Sequence, residues 1–106
     1  MKLAEENLYD APDELAAAAR GLLETVRDAD GVAALSEAFE RGLSDPRAGH
    51  RHVLAREGGE LVGLAALAPG EGPEAELAVA PGARGRGVGQ ALIERVGAVS
   101  YTPLRA

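Results

Sequence analysis

The chain has 106 residues, 17 acidic against 11 basic side chains, a formal net charge of -6 and no cysteine. This length allows one domain with a single core, and the lack of cysteine excludes disulfides, thiolate zinc sites and a cysteine nucleophile. The negative charge and the 3% aromatic content disfavour nucleic-acid binding. No apolar run is long enough for a signal peptide or a membrane span. We therefore expect a cytoplasmic protein that binds neither nucleic acid nor a membrane.

Two helices are predicted in the N-terminal half. Apolar residues recur at helical spacing over residues 12–27, with Pro12 in the first turn. A second helix is predicted over residues 30–43, with Asp30 as its N-cap and Val32 on its inward face. Residues 44–49 then break the pattern.

A β-hairpin is predicted next, because residues 52–57 and 60–67 are β-prone and are joined by two glycines. A loop rich in Gly and Pro follows, and residues 75–80 form a third short strand. Helical spacing returns over residues 87–99. The predicted order is α-α-β-β-β-α, which is an α/β (α+β) fold in a single domain over residues 1–106.

A glycine-rich loop, residues 84–89, lies between the third strand and the last helix. A pyrophosphate needs several convergent backbone N–H donors, and a helix N-terminus supplies donors and a favourable dipole. Glycines leave that backbone accessible. Arg84 and Arg86 are the only charged side chains between Glu76 and Glu94, and both can bind phosphate. We therefore expect an anionic ligand here.

A glycine-rich loop before a helix also occurs in other settings. A dinucleotide-binding βαβ unit needs an acidic residue about 20 residues further on, whereas the chain ends 17 residues after Gly89. A Walker loop needs Lys-Ser or Lys-Thr after its last glycine, whereas Gln90 and Ala91 follow here. A simple glycine turn with no ligand is the remaining alternative.

The segment resembles motif A of the GCN5-related N-acetyltransferases (GNAT), whose signature is Arg or Gln, two residues, Gly, one residue, then Gly or Ala. Arg84, Gly87 and Gly89 fit it, and residues 77–80 with Pro81 match the preceding strand. The resemblance implies a mainly antiparallel sheet with flanking helices and acetyl-CoA as cosubstrate, held by the strand backbone and the loop. The residues thereby assigned to acetyl-CoA are Leu77, Ala78, Val79, Arg84, Gly85, Arg86, Gly87, Val88, Gly89 and Gln90.

Residues 30–37, 50–55 and 75–79 also resemble the N-terminal half of the mycothiol synthases, tandem acetyltransferases of actinobacteria. This implies acetyl transfer to the amine of a cysteinyl glucosaminyl inositol, with Glu37 contacting substrate, although an ordinary surface acid is the alternative. It also implies that the C-terminal domain chiefly carries out the transfer. The leading hypothesis is therefore N-acetylation of a small primary amine, and the alternative is a non-catalytic acetyl-CoA-binding module or half of a tandem enzyme.

Two residues are candidates for acid–base chemistry, because an amine must lose a proton and the leaving thiolate must gain one. Glu76 is the candidate base, on the strand face opposite Leu77, with a solvent-facing glutamate as the alternative. Tyr101 is the candidate acid, with a frayed tail as the alternative. The family continues beyond motif A with further strands, so we expect the C-terminal part of the fold to be missing.

His50 and His52 could suggest a metal site or a base. No usual third ligand lies nearby in the sequence, so ordinary strand positions are predicted and no metal is expected. An incomplete sheet leaves an unpaired edge, and exposed edges invite pairing. A second copy of the chain could therefore complete the sheet in a homodimer.

Overall fold

The computed structural model describes residues 1–70 and 74–100, with side chains as far as Ala98. The order of the elements is strand, two helices, three strands and a final helix, with short 3₁₀ turns at Leu8–Asp10, Pro46–Ala48 and Pro81–Ala83. The strands are β1 (Lys2–Glu5), β2 (Arg51–Glu57), β3 (Glu60–Leu67) and β4 (Ala75–Val79), and the helices are α1 (Asp13–Asp30), α2 (Glu37–Gly42) and α3 (Val88–Ser100).

The four strands form an antiparallel sheet in the order β1-β2-β3-β4. The predicted hairpin is confirmed, because β2 and β3 pair with Glu57 opposite Glu60. Gly58 and Gly59 make the turn with φ of 58° and 86°, values that favour glycine. The α/β fold class with a mainly antiparallel sheet is also confirmed, and β1 adds a strand that the sequence pattern did not predict.

The sheet is covered on both faces. Leu54 and Leu64 face α1 and α2, with Val26 and Phe39 in the same buried cluster. On the opposite face, α3 packs against β2 and β3 through Val88 and Leu92, which are 1% and 0% exposed. α3 can lie this close because residue 63 of β3 is a glycine. A Cβ at this position would lie 2.9 Å from a side-chain carbon of Val88 and of Leu92.

The prediction of a second helix was wrong over residues 30–36, because α2 begins only at Glu37. α1 continues to Asp30 and ends at Gly31, where φ is 77° and the backbone N–H donates to the Arg27 carbonyl at 2.8 Å. A glycine with positive φ is a common helix end, so Asp30 closes the first helix rather than capping a second. Val32 is 66% exposed rather than inward.

None of the described helices has both the length and the apolar character that a membrane span requires.

Candidate functional site

An open cavity of about 480 Å³ follows the outer edge of β4 and reaches the start of α3. We call it the β4 groove. Nine of the ten residues predicted to hold acetyl-CoA line it, and Arg86 is the exception. The opposite wall comes from the C-terminal part of α1, through Val26 and Asp30, and from Ala34. The fold thus gathers the predicted strand and the predicted loop around one space.

The backbone of β4 is asymmetric at this edge. In an antiparallel pair, alternate residues exchange hydrogen bonds with the neighbouring strand and the residues between them face away. The Ala80 N–H donates to the Val62 carbonyl at 2.8 Å, and the Ala68 N–H donates to the Glu74 carbonyl at 2.8 Å. Even-numbered residues of β4 therefore face β3. The odd-numbered residues direct their N–H and C=O groups away from β3, and of these Leu77 and Val79 line the groove.

The loop before α3 presents backbone donors to the same space. Gly85 and Gly87 have φ of 80° and 83°, which a side chain would strain. The first bond of the helical pattern runs from the Ala91 N–H to the Gly87 carbonyl at 3.0 Å. The amides that open the helix, those of Val88, Gly89 and Gln90, therefore lack a helical acceptor and form the positive end of the helix dipole.

Arg84 is bound on two sides. Its Nη1 and Nη2 donate to Oδ1 and Oδ2 of Asp30, each at 2.9 Å, and its Nε donates to the Val79 carbonyl at 3.2 Å. The hydrogen bonds from Arg84 hold the pKa of the Asp30 carboxyl below its usual value, and the same pairing raises the pKa of Arg84. The loop is thereby tied both to the end of α1 and to the edge of β4.

Arg86 points to a different part of the molecule. Its Nη2 lies 2.8 Å from Oε1 of Glu57, at the end of β2. Both arginines that the sequence assigned to phosphate are therefore ion-paired within the chain. Gly85, Gly87 and the first residues of α3 line the groove without a charged side chain, and the amides that open the helix lack a helical acceptor.

The candidate base Glu76 lies on the sheet face opposite Leu77, as alternation along the strand predicts. Its Oε1 accepts a hydrogen bond from the Ser36 backbone N–H at 2.7 Å. Ser36 is the N-cap of α2, and Glu37 is the exposed first residue of that helix. The candidate base and the candidate substrate residue are thus brought to the same end of the sheet. Tyr101 lies outside the described residues.

His52 lies in β2, as predicted, His50 directly precedes that strand, and both side chains are buried. His52 is 0% exposed, and its Nδ1 accepts from the Leu8 N–H at 2.9 Å. Burial, with the nearby His50, lowers the pKa of His52 to about 4. His50 is 7% exposed and packs against the Phe39 ring. The His52 ring therefore belongs to the packing between β2 and the N-terminal segment, and the His50 ring to the packing against α2.

Within residues 1–70 and 74–100, no group of three or more His, Asp or Glu side chains is arranged to hold a metal ion.

Sequence reasoning missed Asp30 and Ser36 as residues of the site. The Asp30–Arg84 and Ser36–Glu76 contacts join residues 54 and 40 positions apart, and no local pattern reports such pairs. The glycine after Asp30 was a usable signal, because it marks a helix end.

Residues 48–104 match the sequence model of a family described as the acetyltransferase (GNAT) domain. The chain is 52% identical over 88 residues to a mycothiol acetyltransferase of Corynebacterium aurimucosum, covering 83% of this chain and 26% of that protein. It is 44% identical over 97 residues to the mycothiol acetyltransferase of Corynebacterium urealyticum, covering 85% of this chain and 28% of that protein. The chain thus spans about a quarter of the length of these curated relatives.

The fold is also similar to solved structures. An aminoglycoside 6'-N-acetyltransferase complexed with coenzyme A superposes with a TM-score of 0.67 at 18% identity, over 93% of this chain and 54% of that one. A ribosomal-protein-alanine N-acetyltransferase from Brucella melitensis superposes with a TM-score of 0.66 at 22% identity, over 94% of this chain and 67% of that one. At these identities the likeness concerns the fold.

Proposed function

The chain belongs to the GNAT acetyltransferase family, and on that premise we propose that it binds acetyl-CoA in the β4 groove and acetylates the primary amine of a small molecule. One observation carries the proposal. The outward backbone edge of β4 and the amides that open α3 line the same groove, so amide-pairing and anion-binding groups are available to one elongated ligand.

The groups of acetyl-CoA match those of the groove. The pyrophosphate needs backbone donors at the positive end of a helix, and Val88, Gly89 and Gln90 supply them. The pantetheine arm carries amides, which can pair with an exposed strand edge as a further strand would, and Leu77 offers both an N–H and a C=O. Val26 and Ala34 give the opposite wall an apolar surface for the methylene groups.

The proposed transfer forms a C–N bond to the amine as the thioester C–S bond breaks. Acetyl-CoA supplies the acetyl group and its thiol is the leaving group. The amine must lose a proton and the thiolate must gain one, and Glu76 and Tyr101 are the proposed base and acid. Oε1 of Glu76 already accepts from Ser36, which leaves Oε2 for the amine, directly or through a water.

The hydrogen bond between Glu76 and Ser36 also favours a second candidate function. A carboxylate that holds the N-terminus of α2 has a structural role whether or not it removes a proton. The chain would then be a non-catalytic acetyl-CoA-binding module, or half of a tandem acetyltransferase.

The proposed acceptor is an amine of the mycothiol type, because the curated relatives are named mycothiol acetyltransferases. The amine of a cysteinyl glucosaminyl inositol is the specific candidate. Glu37, exposed at the start of α2, is the proposed carboxylate for contacting the substrate. The cytoplasmic location predicted from the sequence is part of the same proposal.

Calorimetric titration with CoA tests the binding step. Gly89→Glu places a carboxylate at the start of α3, where a Cβ would lie 3.7 Å from Val79 Cγ2 without a positive φ. We expect this variant to lose at least about tenfold in affinity through charge repulsion with the pyrophosphate. Gly21→Glu is the matched control, since Gly21 lies in α1 with nothing within 4 Å of its Cβ position. Equal affinities for the two variants would contradict the proposal.

Thiol release from acetyl-CoA tests the transfer step. The wild-type chain is expected to release thiol in the presence of the cysteinyl glucosaminyl inositol amine, and Glu76→Gln is expected to slow this release without weakening CoA binding. If CoA binds and no amine in a panel supports thiol release, the binding module is the better account.

A homodimer through the edge of β4 is a further proposal, and it competes with the ligand. Pairing of two β4 strands would use the outward groups of Leu77 that the pantetheine arm is proposed to use. Mass in solution, measured with and without CoA, is expected to show a dimer that dissociates as CoA is added. A dimer unaffected by CoA would place the contact elsewhere.

A further inference from the structure

Arg84 and Asp30 form an ion pair that lines the β4 groove. Asp30 is the last residue of α1, where the helix dipole favours a cation rather than a carboxylate. Arg84 offsets this by donating to both carboxylate oxygens, in the forked geometry that makes such pairs strong. Its Nε at the same time donates to the Val79 carbonyl. One side chain therefore links the end of α1, the loop and the edge of β4.

These contacts compete with phosphate binding by the side chain. Nη1 and Nη2 of Arg84, the atoms that would bind a phosphate, each donate to the Asp30 carboxylate at 2.9 Å. The negative charge of Asp30 also offsets the positive charge of the guanidinium. Binding a phosphate in the same geometry would break both bonds. Val88 and Gly89 also line the groove, and their amides lack a helical acceptor.

The contact with Val79 limits how a ligand can pair with β4. Leu77 and Val79 both direct their backbone groups to the groove, but the Val79 carbonyl already accepts from Arg84. An amide-containing ligand is left with the N–H and C=O of Leu77 and the N–H of Val79. The pairing register along the strand is thereby restricted.

We propose that Arg84 and Asp30 are positioning residues, which fix the register of the pantetheine arm on β4 rather than bind phosphate. This rests on the proposed function, because it requires acetyl-CoA to occupy the groove. Exposed ion pairs contribute little to folding stability, and the side chains of Arg84 and Asp30 are 44% and 34% exposed. The pair should therefore affect ligand affinity much more than unfolding.

Comparing CoA with pantetheine, which has no phosphate, separates positioning from phosphate binding. Affinities are measured by calorimetry for CoA and by NMR titration for pantetheine, with thermal unfolding as the check on folding. Arg84→Met and Asp30→Ala are each expected to weaken both ligands about tenfold. The double variant should be no weaker than either single variant, because both remove the same linkage.

Two further variants make the test sharper. Arg47→Met is the matched control, since Arg47 forms a similar two-point pair with Asp45 outside the groove, and it should leave both affinities unchanged. Arg84→Gln keeps an N–H donor for the Val79 carbonyl, and it should lose only about threefold for pantetheine. Equal losses for Gln and Met would overturn the role of this contact.

The contrary results are equally specific. If Arg84→Met weakens CoA and leaves pantetheine unchanged, or if Asp30→Ala tightens CoA, then Arg84 is a phosphate ligand and the positioning role is overturned. If the wild-type chain binds neither CoA nor pantetheine, the proposed function fails and this inference fails with it.

Discussion

The two edges of the sheet are built alike but have different surroundings. The Glu6 N–H donates to the His52 carbonyl at 3.0 Å, so Leu3 directs its backbone groups outward from β1, as Leu77 does from β4. Each edge has an arginine on one outward carbonyl. Arg95 Nη2 donates to Leu3 at 3.3 Å, and Arg84 Nε donates to Val79 at 3.2 Å.

What differs is the surface next to each arginine. β1 is flanked by the ion pairs Glu5–Arg51 at 2.7 Å and Glu6–Arg56 at 2.6 Å, and charged side chains on a short strand discourage edge pairing. β4 borders the groove and the start of α3. An arginine on an edge carbonyl is therefore no sign of a binding site by itself. The combination with a glycine loop and a helix N-terminus distinguishes the β4 edge.

Gly63 gives the largest expected effect on this comparison, because it sets the distance between α3 and the sheet. A Cβ at this position would lie 2.9 Å from both Val88 and Leu92. Gly63→Ala is expected to lower the free energy of unfolding by about 2 kcal/mol and to weaken CoA binding, since the side chains of Val88 and Leu92 must move and strain the packing of α3. Chemical denaturation and calorimetry measure the two effects.

Gly21→Ala is the control for this substitution. Gly21 is an exposed helix position with open space around it, so alanine should raise the stability by up to about 1 kcal/mol. A Gly63→Ala protein that is as stable as the wild type would show that α3 is not held by this close approach.

Lowering the pH should destabilise the β1 side of the sheet, where His52 is buried, more than the β4 side. The pKa of His52 is about 4 in the folded chain, against 6.5 for an unperturbed histidine. The unfolded state therefore binds more protons between these values, and stability should fall as the pH falls through this window, by about 3 kcal/mol. Urea unfolding at neutral and acid pH measures the loss, which His52→Gln should reduce.

Hydrogen exchange locates this effect in the sheet. The Leu8 amide donates to the His52 ring and the Ala80 amide donates to β3 at the other edge. Protection of Leu8 is expected to fall before that of Ala80 as the pH is lowered. Simultaneous loss of both would mean that the edges do not respond separately.

The sequence predicted the parts of the fold that local patterns encode. The hairpin followed from the two glycines between β-prone segments, and α3 followed from helical spacing. The groove residues followed from a strand, glycines and a helix start in succession, with Arg84, Gly87 and Gly89 matching motif A. These features depend on neighbours in the chain, so one sequence is enough to predict them.

The features that were not predicted depend on distant contacts. β1 has four residues of mixed polarity, too few to show alternation, and is defined by its pairing with β2. The ion pair between Arg84 and Asp30 was not predicted, because the two residues are 54 positions apart in the chain. The burial of His50 and His52 was likewise not predicted, because it depends on segments far from them in the chain.

The central claim is that the β4 edge binds CoA. The most direct test removes one outward N–H from each edge of the sheet. Proline is tolerated where a strand N–H faces away from the sheet, so Leu77→Pro and Leu3→Pro each remove one such donor. Both leucines pack partly buried against the same cluster, which makes them a matched pair. Calorimetry is expected to show CoA affinity reduced at least about tenfold for Leu77→Pro and unchanged for Leu3→Pro. Unchanged affinity for a folded Leu77→Pro protein, or equal losses for both, would contradict the account.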